Sequence, residues 1–236
     1  MKKAVIIGAS SGIGREVALL LQQRGWQVAV AARRHELLSQ FPISACLDVN
    51  APDASQQLLQ LVERLGGMDL YFHASGIGHQ NPELHEDIEL QTVQTNAVGF
   101  VALVGTAYRY MAAHGGGHIA VISSIAGTKG LGPAPSYSAT KALQNTYIEA
   151  LEQLANARRL NIRFTDIRPG FVATDLLNDG NSYPLLLKKE QVALDIVRSI
   201  ERRRHVRVID WRWRAITWFW RRLPRCLWRH LRLVTK

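Results

Sequence analysis

The sequence predicts an α/β fold, a doubly wound parallel sheet of about seven strands with helices on both faces. Three observations carry this. Short apolar runs alternate with amphipathic helical stretches through most of the chain, a pattern that demands crossover connections. A glycine-rich turn joins the first run to the first helix. The apolar fraction, 47%, is that of a chain with a core to bury and too high for a disordered one.

The elements follow in order. Ala4–Ile7, Gln27–Ala31, Ala45–Leu47, Asp69–His73, His118–Ile122, Arg163–Ile167 and Val206–Ile209 are short apolar runs of strand length. Between them, Gly14–Arg24, Ser55–Leu65, Ile88–Ala113, Ser136–Ala157 and Glu190–Arg202 carry helical periodicity. Gly115-Gly116-Gly117 is a helix-to-strand turn. Leu176–Lys189 contains Gly180, Asn181 and Pro184 and lacks a clear period, so it reads as an irregular insertion such as a flap over a site. The apolar start, Ala4–Ile7, is shorter than the roughly 7–15 residues of a secretory core. Leu90–Tyr108 and Tyr110–Thr128 are interrupted by polar residues or glycines and read as buried elements rather than membrane spans. Cys46 and Cys226 lie far apart and offer neither a disulfide framework nor a zinc cluster.

Charge divides the chain. The net charge is +10, and residues 201–236 account for all of it, with eleven Arg and one Lys against Glu201 and Asp210. Five of the six Trp also lie there. The first 200 residues sum to zero. The expected organisation is one domain over residues 1–210 and a basic, Trp-rich helical extension over 211–236.

Gly8-Ala9-Ser10-Ser11-Gly12-Ile13-Gly14 follows the first strand and opens the first helix. Gly8 allows a tight turn, Gly12 lets the backbone approach a pyrophosphate, and Gly14 permits close packing of helix on strand. The helix N-terminus then presents unpaired N–H groups to phosphates. A glycine triplet alone is a weak signal; its place between strand and helix strengthens it.

The spacing G-x3-G-x-G resembles that of the short-chain dehydrogenase/reductase family, of the NADP(H)-preferring carbonyl reductase type. The resemblance runs from about Lys3 to Ile209. It implies a Rossmann-type fold and a catalytic set that matches residue by residue. Asn96 lies in Thr95-Asn96-Ala97 of the long fourth helix, and Ser124 ends Val121-Ile122-Ser123-Ser124. Tyr137 and Lys141 lie in Tyr137-Ser138-Ala139-Thr140-Lys141, with Tyr137 13 residues after Ser124, the family spacing. Pro169, Gly170, Val172 and Thr174 resemble the nicotinamide-side segment. One departure stands out. Where the family usually has Asn-Asn-Ala-Gly, this chain reads His73-Ala74-Ser75-Gly76. The backbone role of Gly76 beside the cofactor, with Ala74 and Ser75, is kept, while the usual asparagine contacts between strands are lost.

The chemistry suits these residue types. Tyr137 and Lys141 are four apart and share one helical face. A free Tyr titrates near 10, and a nearby ammonium favours its phenolate. The resemblance implies that Lys141 also holds the nicotinamide ribose and that Asn96 orders a water linking Lys141 to solvent. Ser124 is suited to donate a hydrogen bond to the substrate oxygen, with Tyr137 as general acid or base. Each residue alone has a bland reading, a helix cap for Ser124 and a solvated face for the Tyr/Lys pair. Their joint occurrence behind a phosphate loop favours the site.

For the cofactor, an NAD site would place an acid about 20 residues past the glycines. Ala32 stands there by resemblance. Arg33 and Arg34 follow and suit a 2′-phosphate; Arg33 is preferred, with solvation the alternative for Arg34. Asp48 resembles the acid that contacts the adenine, with Val49 beside it. NADP(H) is expected.

Leu176, Leu177, Leu185, Leu186 and Leu187 either cover an apolar ligand or pack on the body. Ala126, Gly127 and Leu131 are small or apolar, and a hydrophobic carbonyl substrate is favoured. In the tail, Ile216, Phe219/Trp220, Leu223, Leu227 and Leu231 follow helical spacing with Arg221, Arg222, Arg225, Arg229 and Arg232 between them, and Pro224 divides the stretch. Association with an anionic membrane surface is preferred, followed by covering of the substrate cleft or a subunit contact, with nucleic acid last. A chain ending at Asp210 is then expected to stay folded. The expected protein is a cytoplasmic NADP(H)-dependent carbonyl reductase/alcohol dehydrogenase, with a peripheral place on the inner face of the membrane as a further expectation. The resemblance implies a homodimer or homotetramer. The alternative is a nucleotide-binding regulatory or scaffold protein of the same fold that recruits partners through its tail.

Overall fold

In a computed structural model, which describes residues 1–177 and 183–231, seven strands form one sheet. They are β1 (Lys3–Ile7), β2 (Gln27–Ala32), β3 (Ile43–Cys46), β4 (Leu70–His73), β5 (Gly117–Ile122), β6 (Ile162–Pro169) and β7 (Val206–Ile209), in the order β3-β2-β1-β4-β5-β6-β7. Every pairing is parallel. The order reverses between β1 and β4, which makes the topological switch point at which such sheets bind ligands.

The strands alternate their side chains between two cores. Val5 and Ile7 face one side of β1, and Ala4 and Ile6 face the other. On the first side lie helices α2 (Ala54–Leu65), α4 (Phe100–Ala113) and α5 (Pro135–Ala157); on the second lie α1 (Gly12–Gln23) and α6 (Lys189–Glu201). Because both faces are covered, the strands are apolar on both sides, which explains why they read as continuous apolar runs rather than alternating ones. Ion pairs Glu16–Lys189 at 3.1 Å and Arg24–Glu201 at 2.5 Å bracket the contact between α1 and α6.

The long helix expected over Ile88–Ala113 is interrupted. It runs as α3 (Glu86–Val93), a π-helical turn over Gln94–Gly99, and α4. Such turns widen a helix locally and recur at functional sites; this one carries Asn96. His73, the departure from the family pattern, is wholly buried. Its Nδ1 is 2.8 Å from the Tyr71 hydroxyl, and its ring meets Phe100 edge-on at 5.1 Å. Burial, aided by the charge of Lys141, lowers its pKa to about 3, so the ring is neutral. Cys46 and Cys226 are exposed free thiols. Among the described residues, no helix is long and apolar enough to cross a membrane.

The tail is not detached from the body. Pro224 separates α7 (Trp211–Trp220) from α8 (Arg225–Trp228). Trp213 is 4% exposed and belongs to the second core. It stands edge-on to Phe171 at 5.5 Å and donates from Nε1 to the Leu185 carbonyl at 3.4 Å. A Cβ on Gly170 would fall 2.2 Å from that indole nitrogen, so glycine is required for the ring to lie there. A chain ending at Asp210 would therefore lose a core side chain. Trp213→Ala should cost about 3–5 kcal/mol of stability, measured by urea unfolding. A loss below about 1 kcal/mol would mean that α7 is an independent appendage.

Candidate active site

The parallel register brings the strand ends together. Ile7 pairs with Ala31 and His73, Ile122 with Ile167, and Pro169 with Ile209. The segments that follow these residues line one cleft of about 1440 Å³. A second cavity of about 420 Å³ at α6 and β7 is lined by Arg198, Arg202, Arg204 and Arg207 and contains none of the motif residues.

At one end of the cleft is the phosphate loop. Gly8 has φ +89°, and a Cβ there would meet the Ser75 nitrogen at 2.6 Å. A Cβ on Gly14 would lie 2.2 Å from the Gly8 carbonyl oxygen, so helix α1 can start this close to β1 only with glycine. Gly12 has φ +56° and meets nothing nearer than the Thr174 methyl at 3.4 Å. Ser11 caps α1 without a side-chain bond, leaving the first-turn N–H groups open. Ser10, Ser11 and Ile13 line the cleft beside them.

Arg34 is anchored rather than solvated. Its Nη2 donates to Ser11 Oγ at 2.8 Å and Ser10 Oγ at 3.3 Å and lies 3.9 Å from the Asp175 carboxylate. Arg33 lines the cleft and is exposed. Both arginines thus line the cleft, and Arg34 in addition reaches across to the loop. Ala32 is buried at the position where an acid would sit. Glu36 also lines the cleft, which no sequence signal indicated. Leu47 and Val49 line it too, but Asp48 between them does not. The Asp48 carboxylate accepts from the Asn50 N–H at 3.0 Å. An open helix N-terminus, a guanidinium over two hydroxyls and an apolar slot between Leu47 and Val49 fit a phosphorylated dinucleotide.

The four motif residues converge at the middle. Ser124 is 7% exposed, and its Oγ accepts from the Ala126 N–H at 3.0 Å. The bland reading, a cap, is thus also true, but the hydroxyl proton stays available. Tyr137 is half-buried. Burial raises its pKa, while a hydrogen bond with Ser124 lowers it. The lowering expected from Lys141 is not what dominates, because the amine is turned elsewhere. Its Nζ donates to the Ile122 carbonyl at 3.2 Å and to Gln144 Oε1 at 3.0 Å, and sits 5.7 Å from the centre of the Tyr137 ring. Lys141 is 5% exposed, and burial lowers its pKa to about 8 against the pull of Asp166.

Asn96 is wholly buried. Its side chain accepts from the Ile77 N–H at 2.9 Å and donates to the Ile77 carbonyl at 2.6 Å, while its own carbonyl accepts from Gln144 at 2.8 Å. The amide is committed to the backbone after β4. Gly76 packs closely on this pair, since a Cβ would lie 3.2 Å from Asn96 Oδ1 and 3.6 Å from Lys141 Nζ. Ala74 and Ser75 line the cleft beside it.

Sequence reasoning missed several supports. A Cβ on Gly78 would be 2.6 Å from the Tyr137 ring, so Gly78 makes room for it. Gln144 joins Lys141 to Asn96. Asp166, 2% exposed, bonds Ser123 Oγ and accepts from Arg168 Nε at 2.7 Å. The glycine's spacing from Gly76 was visible; Gln144 and Asp166 carried no motif.

On the far side, Pro169, Gly170, Val172 and Thr174 line the cleft. Leu176, Leu177 and Leu185 line it as well, whereas Leu187 is buried and Leu186 is half exposed. The expected flap is split in this way, with Gly180 and Asn181 outside the described residues. Ile216 and Trp220 of α7 close this end. Lys129 Nζ donates to the Leu223 carbonyl at 2.9 Å and Trp228 Nε1 to the Gly130 carbonyl at 2.8 Å, tying the tail to the loop after Ser124.

A family model described as short chain dehydrogenase matches residues 2–183. An uncharacterised oxidoreductase of Myxococcus xanthus is 32% identical over 197 residues, covering 78% of this chain and 77% of that protein. A 3-oxoacyl-acyl-carrier-protein reductase of Bos taurus is 29% identical over 198 residues, covering 80% and 82%. An actinorhodin polyketide ketoreductase variant solved with NADPH has a TM-score of 0.76 at 24% identity, covering 88% of this chain and 95% of that one. At that identity the likeness is one of fold.

The buried amine has a measurable cost. A lysine whose folded pKa is depressed to about 8 binds its proton more weakly than in the unfolded chain, so stability rises with pH between about 8 and 10.4. Lys141→Met should remove that rise. The variant should gain most, up to about 3 kcal/mol, below pH 8, with the difference shrinking toward pH 10. A pH-independent difference in unfolding free energy would show that Lys141 is not held in a charge-disfavouring site.

Proposed function

The chain belongs to the short-chain dehydrogenase family, an oxidoreductase family, and on that footing we propose that it is an NADP(H)-dependent enzyme interconverting a hydrophobic ketone or aldehyde and the corresponding alcohol. The observation that carries this reading is the convergence of Ser124, Tyr137 and Lys141 beside an open phosphate loop held by Arg34.

The loop Gly8–Gly14, Arg34, Val49, Gly76 and the Pro169–Thr174 segment would hold the dinucleotide. When bound, it supplies or accepts the hydride at the substrate carbon. The chain's own groups handle the oxygen. Ser124 donates its hydroxyl proton to a hydrogen bond with the carbonyl oxygen. Tyr137, kept as a phenol by burial, gives its proton to that oxygen in reduction and takes it back in oxidation. Lys141, its pKa lowered by burial to about 8, holds a positive charge 5.7 Å from the centre of the Tyr137 ring. Asn96 and Gln144 are positioning residues that fix Lys141 and the loop after β4.

Arg34 supports NADP(H) over NAD(H), because a guanidinium stands at the loop where a carboxylate would otherwise accept from a ribose hydroxyl. Leu131, Phe171, Leu185, Ile216 and Trp220 line the substrate end and favour an apolar carbonyl compound. The intact hydroxyl, phenol and ammonium set speaks against a scaffold that binds nucleotide without turnover. Exposed Leu90, Val93 and Val98 on the α3–π-turn run, and Leu143 and Leu154 on α5, support a homodimer or homotetramer through those helices.

Two measurements test this. In NADPH oxidation assays over short- and long-chain carbonyls, Tyr137→Phe should lose about 10²–10⁴-fold in kcat while still binding NADPH. Turnover close to that of the parent chain would remove Tyr137 from the mechanism. Arg34→Ala should raise the KM for NADPH by about tenfold and leave NADH unchanged, with a smaller effect from Arg33→Ala. A preference for NADH in the parent chain would overturn the cofactor assignment.

A further inference from the structure

Helix α7 presents two unlike sides. Trp213, Thr217 and Trp220, at i, i+4 and i+7, share the side turned to the body. Trp213 and Thr217 are buried, and Trp220 lines the cleft. Trp211, Arg214 and Trp218, at i, i+3 and i+7, share the opposite side. Trp211 is 69% exposed, Trp218 60% and the neighbouring Phe219 62%. Leu227 and Leu231 extend the apolar surface beyond Pro224.

Scattered exposed apolar residues need no explanation. Five large ones on one terminal segment make a patch, and patches of this kind mark contact surfaces. The charge around this one is of a single sign. Residues 211–236 hold seven Arg and one Lys and no acid. Arg214, Arg221, Arg222, Arg225 and Arg229 are exposed. Arg212 is held by Asp210 at 2.8 Å, while among the described residues none of those five forms an ion pair. The Arg222 guanidinium lies 3.8 Å over the Trp218 ring, which keeps a cation and an indole side by side at the surface.

We propose that the outer face of α7, continued by α8, seats the protein on an anionic lipid surface. Indole and leucine side chains enter the boundary between headgroups and acyl chains, and the arginines meet the phosphates. The charge argues against the other occupants. A second copy of the chain would bring an identical acid-free basic face against this one. A nucleic acid would satisfy the arginines but gives Leu227 and Leu231 nothing to enter.

The seat stands on these observations alone. Its consequence for the substrate rests on the reading of the cleft as a carbonyl reductase site. The inner side of the same helix walls that cleft with Ile216 and Trp220, about one helix diameter, 10–12 Å, away. An enzyme seated here takes its substrate from the bilayer, as a carbonyl compound with a lipid-like chain.

The full chain is sedimented with vesicles of phosphatidylcholine alone and of phosphatidylcholine mixed with phosphatidylserine. Binding should need phosphatidylserine and should fall as salt is raised. Trp218→Ser/Phe219→Ser should weaken it roughly tenfold or more, and Arg221→Gln/Arg222→Gln should weaken it while flattening its salt dependence. Both pairs are exposed, so the circular dichroism spectrum and turnover of a short water-soluble aldehyde should match the parent chain. Equal sedimentation of parent and Trp218→Ser/Phe219→Ser would overturn the proposal. So would binding to an oligonucleotide with none to vesicles, or a self-association that the same variant abolishes without vesicle binding. The binding readout needs neither cofactor nor turnover. A chain that binds vesicles and reduces no carbonyl keeps the seat and loses the catalytic reading; one that reduces aldehydes and ignores vesicles does the reverse.

Discussion

Parallel pairing across all seven strands obliges every strand to end at the same edge of the sheet, and almost everything else in the protein depends on that obligation. The phosphate loop leaves β1 there, Arg34 leaves β2, Gly76 leaves β4, Ser124 leaves β5 and Gly170 leaves β6. Their positions are set by the ladder. Local contacts, such as those of Asn96 with Ile77 and of Arg34 with Ser10 and Ser11, then fix the segments in detail. Glycine is needed wherever two of them come too close for a side chain. The approach of Gly14 to the Gly8 carbonyl and of Gly170 to Trp213 are cases where a Cβ would fall 2.2 Å from the neighbouring atom. The same obligation governs the tail, since β7 is parallel to β6 and the chain must emerge beside the cleft.

The electrostatics of the site follow from burial at that edge. Lys141 sits where water cannot solvate its charge, and the buried Asp166, itself engaged by Ser123 and Arg168, offsets only part of that cost. Tyr137 is pushed toward its neutral form by the same lack of water. Burial therefore moves the two proton affinities apart, the amine downward and the phenol upward, with Ser124 opposing the phenol's rise. His73 shows the same physics with no role in the chemistry. It is a neutral ring at the end of β4, joined to Tyr71 and edge-on to Phe100, filling a place where the family pattern has an amide.

Much of this was legible in the residues. The seven apolar runs became the seven strands within a few positions, because strands buried on both faces leave an unbroken apolar signature. The four motif residues and the glycine loop were legible from the family resemblance; the structure places the loop, Ser124, Tyr137 and Lys141 along one cleft, with Asn96 buried behind it. What was not legible depends on contacts between distant parts of the chain. Helical periodicity does not distinguish an α turn from the π turn that carries Asn96. Arg34 is bonded to the phosphate loop because Ser10 and Ser11 stand across from it. Asp48 looked like a cleft residue from its place in the sequence, yet its carboxylate turns back to Asn50. The tail was legible in part, since covering of the cleft was among its readings. Its charge suggested an appendage, whereas Trp213 is core, and only the direction of β7 brings it there.

The central claim is that the cleft transfers a hydride between a nicotinamide and a carbonyl carbon, with Tyr137 managing the oxygen. The most direct measurement uses NADPH carrying deuterium at the transferable C4 position and a long-chain aldehyde. The account predicts that the alcohol formed carries the deuterium on its carbinol carbon, with none gained there from solvent. An alcohol without the label, or carbinol hydrogen drawn from water, would contradict it.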